Sequence, residues 1–317
     1  IQLVRKYGGS PTGAHRPGPP PPGMALIDVG TIEVGRNADE IERECREIGA
    51  GCDRELMQRE IPRRKVTVPA FFLDRDEVTN AQFAKLLNDY IGMVVVTDDE
   101  DYHKPRFVHL NRGSGDRDVL YDLNDWHGGS IDYVGTVDHH RFVVRPGRDL
   151  LPAAQMSWYG AKLYCESVGK RLPTEDEWEA AARGRDDRRF PWGNALPRCG
   201  DVVIANDGKL AMSGSCPPGD VALRAIGASL QDITPDGVRG LAGGVSEWTS
   251  SLYVEGVRSV DPGSVPRETP RVFRGASWAT SLMARSSGRS KRPPSIMGAN
   301  IGLRCASSVE GSRPGGP

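Results

Sequence analysis

The chain has 317 residues, enough for one large domain or two ordinary ones, with 38% hydrophobic and 26% charged residues. A formal net charge of −1 with Lys and Arg scattered among acids argues against a nucleic-acid surface, and no run of 18 apolar residues offers a membrane-spanning helix. Gly (38) and Pro (24) are abundant, which points to many turns and long ordered loops.

The sequence opens on Ile1 rather than Met. This reads as a processed or truncated piece, so the compartment has to be argued from cysteine usage. There are six cysteines: Cys45, Cys52, Cys165, Cys199, Cys216 and Cys305. An even count with no CxxC and no zinc-type spacing fits three disulfides in an oxidising compartment, hence an extracytoplasmic setting, whether periplasmic, cell-surface or secreted.

Residues 1–23 include "GGSPTGAHRPGPPPPG" and cannot build a core. Four successive prolines favour an extended linker. Folded sequence begins at Met24, where "MALIDVGTIEVG" alternates in the manner of a hairpin. Residues 38–60 are highly charged and carry Cys45 and Cys52 in a loop or short helix. "RRKVTVPAFFLDRDEVT" then reads as a strand pair, followed by an amphipathic helix in "TNAQFAKLLNDYIG" with Thr79 as N-cap and Phe83, Leu86 and Leu87 on one face.

Residues 93–150 hold Val runs, Asp clusters and five of the six histidines, with no sustained helical period. They read as short strands and ordered loops. The neighbours His139 and His140 would point to opposite sides of a strand and are poor joint metal ligands. A second helix follows in "SWYGAKLYCESVG", capped by Ser157 and stopped at Gly169. A third, "TEDEWEAAARG", carries a Thr174/Glu177 capping box, acids in its first turn and a stop at Gly184. No long helix is recognisable afterwards, so the fold class is α+β and loop-rich, with residues 24–309 as one domain and 310–317 as a flexible tail.

Seven segments occur in one order: "GTIEVG", "FFLDRDEVTNAQFAKLL", "MSWYGAKLYCESVGKRLPTEDEWEAAARG", "FPWGN", "GGVSEW", "RGASW" and "NIGLRC". Together, over roughly residues 24–306, the chain resembles the formylglycine-generating enzyme or sulfatase-modifying factor family. The resemblance implies a variant of the C-type lectin fold with little regular secondary structure. It also implies a Cys165–Cys305 disulfide, while proximity in sequence suggests Cys45–Cys52 and Cys199–Cys216.

Family members that make formylglycine hold copper(I) with two cysteines placed just after the RGxS segment. Soft thiolates suit that soft ion. Transferred by spacing, the two positions fall on Thr280 and Arg285, so no copper is expected. Ser277 matches the serine beside that site. Two classes of function remain. One is a non-catalytic binding or scaffold module for a protein, peptide or glycan partner, using Ser277, Trp278, Thr280, Arg285 and Arg289, with Lys291 nearby on a surface segment. The other is a metal-dependent oxidoreductase of the same family, acting on a peptide-derived substrate without the cysteine pair. That reading needs scattered groups such as His127, His139, His140 and Glu247 to converge. The resemblance also implies a weak calcium loop, with the carbonyls of Gly243 and Val245 and the Glu247 carboxylate as ligands; the alternative is a tight turn that packs Trp248. Gly240 and Gly244 stand where two further side-chain ligands are usual.

Overall fold

The computed structural model describes residues 18–100, 104–111, 117–123, 129–136, 139–255 and 266–309. The greater part of the Pro-rich segment and the tail from residue 310 lie outside them, as does His127.

The first strands are β1 (Met24–Ile27), β2 (Gly30–Val34), β3 (Arg64–Val68) and β4 (Phe71–Asp74). β1 and β2 do not fold back on each other as the alternation suggests, and neither do β3 and β4. β1 pairs with β4, and β2 with β3, antiparallel and in one unbroken register: Ile27 faces Phe71 and Gly30 faces Val68. A tight hairpin of the favoured type needs positive φ at both central residues. Neither Asp28 nor Val29 has it; Gly30 does, at 64°. The chain therefore bends at Gly30 without reversing, and closes its ribbon through residues 35–63. That excursion carries α1 (Ala38–Ile48) and α2 (Arg54–Gln58), so the charged segment is more helical than its sequence suggests.

α3 (Asn80–Asp89), α4 (Trp158–Ser167) and α5 (Glu175–Arg183) start where the caps place them. Thr79 accepts from the Gln82 amide, Ser157 from Gly160 and Thr174 from Glu177. The Glu177 carboxylate accepts in turn from the Thr174 amide at 2.8 Å, which completes the capping box. Between α3 and α4 run the short strands β5 (Val94–Asp98), β6 (Pro105–Asn111), β7 (Arg117–Asp122), β8 (Ile131–Thr136) and β9 (His139–Val144). They form a three-stranded sheet, β5-β6-β7, and a β8-β9 pair.

The C-terminal half supplies β10 (Ser246–Leu252), β11 (Arg271–Arg274), β12 (Arg289–Arg292), β13 (Ile301–Gly302) and β14 (Ala306–Ser308). Sheet order is β12-β11-β10-β13, and β14 joins the first ribbon as β1-β4-β14. Phe83, Leu86 and Leu87 enter the main apolar core, while Trp178 with Ala180, Ala181 and Ala182 builds a second one against the β1–β4 ribbon. Gly275 in "RGASW" is needed for close approach. Its φ is 77°, and a Cβ there would stand 2.6 Å from the Leu241 carbonyl oxygen.

Long loops leave backbone carbonyls that no regular ladder satisfies. Buried arginines meet that demand. Arg274 donates to the carbonyls of Ser287, Gly288 and Glu175. Arg304 donates to those of Asp74, Arg75 and Arg239. The six cysteines form three disulfides: Cys45–Cys52, Cys165–Cys305 and Cys199–Cys216. The second spans 140 residues and ties α4 to the stretch between β13 and β14.

Candidate functional site

β11 delivers the chain into a closed turn at Ser277–Thr280. The Ser277 amide donates to the Thr280 carbonyl at 3.2 Å, and the Thr280 amide returns the bond at 3.1 Å. The Ser277 hydroxyl is fully buried at the centre of this turn. It receives a hydrogen bond from Asn300 Nδ2 at 2.9 Å and one from the Ala279 amide at 3.3 Å, and lies 3.1 Å from the Thr280 hydroxyl. None of these partners is a base. The nearby carboxylate, Asp207, is engaged by the Ser281 amide and hydroxyl instead. Trp278 and Thr280 are part-exposed at the rim. The Trp278 amide is tied to the Gly244 carbonyl at 2.9 Å, which joins this turn to the "GGVSEW" loop.

Arg285 and Arg289 are not on the surface where the sequence places them. Each is 1% exposed. Arg285 reaches Glu60 at 2.5 Å and Glu44 at 3.3 Å. Arg289, on β12, reaches Glu175 at 2.9 Å and lies over the Tyr253 ring. For Arg289 the partner is the first residue of α5; for Arg285 the physical reason is the excursion through α1 and α2. It brings Glu44 and Glu60 across the segment after the turn, and carboxylates that are themselves buried require cations. Lys291 stays part-exposed, with its ammonium over Tyr253. His139 is exposed and His140 stacks obliquely on Tyr133.

The "GGVSEW" loop holds a cluster that sequence reasoning missed. Glu247 is fully buried and already engaged. Its Oε1 accepts from Arg304 Nη2 at 2.7 Å, and its Oε2 accepts from Arg304 Nε at 2.7 Å and Trp178 Nε1 at 2.8 Å. Glu77 enters from the end of the first ribbon, and a Cβ on Gly240 or Gly244 would lie 2.6 or 2.3 Å from its carboxyl oxygens. The two glycines that lack the usual calcium-binding side chains thus form the bed of Glu77. Asp232 lies alongside, its Oδ2 accepting from the Ala242 and Gly243 amides at 2.8 and 3.0 Å.

Burial pushes the Glu77 carboxyl up to about 8, with Arg304 opposing and Glu247 assisting. Burial likewise raises Asp232 to about 7, against the two backbone amides and Arg304. Glu77 sits inside the quoted "FFLDRDEVTN" segment, but its burial depends on two glycines more than 160 positions away, and nothing local reveals that. Among the described residues no three His, Cys, Asp or Glu side chains gather as a metal-holding group, and no cysteine is free.

Residues 11–309 match the Sulfatase-modifying factor enzyme 1-like domain. The formylglycine-generating enzyme of Streptomyces coelicolor is 31% identical over 283 residues, which cover 79% of this chain and 82% of that protein. The inactive C-alpha-formylglycine-generating enzyme 2 of Bos taurus is 36% identical over 176 residues, 52% of each chain. Among solved structures, PvdO from Pseudomonas aeruginosa shares the fold at a TM-score of 0.52 and 19% identity, covering 90% of this chain and 94% of that one. With a match running through nearly the whole described chain, the protein belongs to the sulfatase-modifying factor enzyme 1-like family.

Proposed function

We propose that this chain is a binding or scaffold member of its family, acting outside the cytoplasm, in which the copper-dependent oxidation of a substrate cysteine has been lost. The observation that carries this reading is the state of the thiols: all six cysteines are tied up in disulfides, so none supplies a thiolate beside Ser277. The two positions that the resemblance assigns to copper ligands hold Thr280, a hard hydroxyl, and Arg285, which has no lone pair to offer. Arg285 is moreover spent on Glu60 and Glu44. The Ser277 hydroxyl, bonded to Asn300, Thr280 and the Ala279 amide, serves to hold the turn in shape. Trp278 and Thr280 at its rim are the residues available to a peptide partner. Three disulfides support the extracytoplasmic setting.

The "GGVSEW" loop is read in the same way, as an ion-paired turn rather than a calcium seat. Glu247 is neutralised by Arg304, and Glu77 fills the space that two ligand side chains would need.

The test is an aerobic assay with copper(I) and a Cys-containing sulfatase-type peptide. The expected result is no aldehyde formation above the protein-free blank, and turnover would overturn the reading. The double variant Thr280→Cys with Arg285→Cys is expected to remain inactive, because Arg285 is a structural ion-pair partner in this chain.

A further inference from the structure

A cavity of about 210 Å³ opens between α1, the end of α5 and the segment after the Ser277 turn. It lies apart from Ser277, Trp278 and Thr280, and of the residues used in the reading above only Arg285 lines it. Six arginines and four carboxylates line it. Three of the guanidinium groups converge on one carboxylate: Arg36, Arg189 and Arg285 stand 2.8, 2.9 and 3.3 Å from Glu44, which is 4% exposed. Burial pushes the Glu44 carboxyl up, yet Arg285, Arg36 and Arg189 together hold it below the usual carboxylate range.

The hydrogen bonds do not balance. Arg36 Nη1, Arg189 Nε and Nη2, and Arg285 Nε are all buried N–H donors with no hydrogen-bond acceptor. Arg36 Nη1 and Arg189 Nη2 keep ion-pair distances to Glu44 without meeting hydrogen-bond geometry to it. No carboxylate oxygen lining the cavity is orphaned in this way. Glu60, beneath the wall, is occupied by Arg285 Nη2 and the Ser287 hydroxyl, each at 2.5 Å. Arg43, also in the lining, is exposed.

Buried donors left without acceptors are unfavourable, and more so when charged. A ligand that offers several acceptors and no donors would relieve them together. We propose that this cavity binds a small tetrahedral oxyanion of the sulfate or phosphate type, held by Arg36, Arg189 and Arg285 with Arg43 at the mouth. The cavity volume accommodates such a group with a short substituent. Arginine is also the residue whose planar fork of donors matches these oxyanions.

The experiment titrates inorganic sulfate, and separately inorganic phosphate, into the full chain by calorimetry, with sodium chloride holding ionic strength constant. Saturable binding is expected, along with a rise in melting temperature that chloride does not reproduce; the tighter of the two ions names the group carried by the natural ligand. Arg189→Gln removes two orphaned donors and is expected to weaken binding roughly tenfold or more, the worth of a charge-assisted hydrogen bond. Arg43→Gln alters an exposed side chain and leaves the fold intact. It is expected to weaken binding by a smaller factor, and it decides the matter if Arg189→Gln does not fold. Equal responses to chloride at matched ionic strength, or wild-type affinity in both variants, would overturn the proposal.

Discussion

Replacing Glu77 by Gln should make the chain more stable at neutral and alkaline pH while leaving it nearly unchanged at pH 5. In the folded chain the Glu77 carboxyl keeps its proton up to about 8, whereas its ordinary value is 4.5. The native state therefore binds more protons than the unfolded state between those two values, so stability is full below about 4.5 and falls as pH rises toward 8. Gln imitates the protonated acid in shape and neutrality and does not titrate. At about 1.4 kcal/mol for each tenfold change in proton affinity, the wild-type chain should lose about 3 kcal/mol relative to Glu77→Gln between pH 5 and pH 8. Glu77 is buried, so solvent does not screen this contribution away.

Asp232 titrates in both proteins, and because it acts on Glu77 the difference between the curves reports Glu77 together with that coupling. The assay is urea unfolding with the disulfides intact, at pH 5, 6, 7 and 8, reading the difference in unfolding free energy at each. Parallel curves would refute the reasoning. They would mean that Glu77 is ionised in the folded chain and that Arg304 serves it as well as Glu247.

Calcium at millimolar levels, added to chelator-treated protein, should leave the melting temperature unmoved, since the Glu247 carboxylate is held by Arg304 and Trp178. Calcium at a hundred times its dissociation constant would add about 2.7 kcal/mol, so a clear calcium-dependent rise rejects this reading. Cys165→Ser with Cys305→Ser should destabilise the chain by up to about 5 kcal/mol, because the lost bridge closes a 140-residue separation. An unchanged urea midpoint would show that the α4 contacts alone secure that end of the chain.

The parts of this fold that were legible in the sequence are those whose signals are local. Thr79, Ser157 and Thr174 announce helix starts because a cap and its amide partner lie within three residues. The seven ordered segments carry the family and with it the long-range Cys165–Cys305 bridge. What failed was partner choice over distance. Alternation between Met24 and Val34 identifies strands, but whether they pair with each other or with residues 64–74 turns on the φ of two loop residues. Arg285 and Arg289 read as surface cations for the same reason. Charge marks a residue as exposed until a carboxylate from elsewhere covers it, and Glu44, Glu60 and Glu175 lie more than 100 positions away.

Those distant pairs also explain why a chain with long irregular stretches can remain ordered around the Ser277 turn. An arginine cannot shed its charge in a protein, so a buried one is tolerated only where carboxylates and carbonyls surround it. Arg274, Arg285, Arg289 and Arg304 each find carboxylates from other parts of the chain. Arg285 is the first of them to follow the Ser277 turn in sequence. It fastens the α1–α2 excursion to the segment just beyond Ser277, through Glu44 and Glu60. Removing one partner of such a buried pair typically costs about 3–5 kcal/mol, because the other charge is left uncompensated. A cysteine placed at position 285 would therefore add a thiol near the turn and at the same time strand Glu44 and Glu60. On the reading proposed above, copper chemistry in this sequence would require the α1–α2 excursion to change together with the Ser277 turn, because the side chain at position 285 holds the two together.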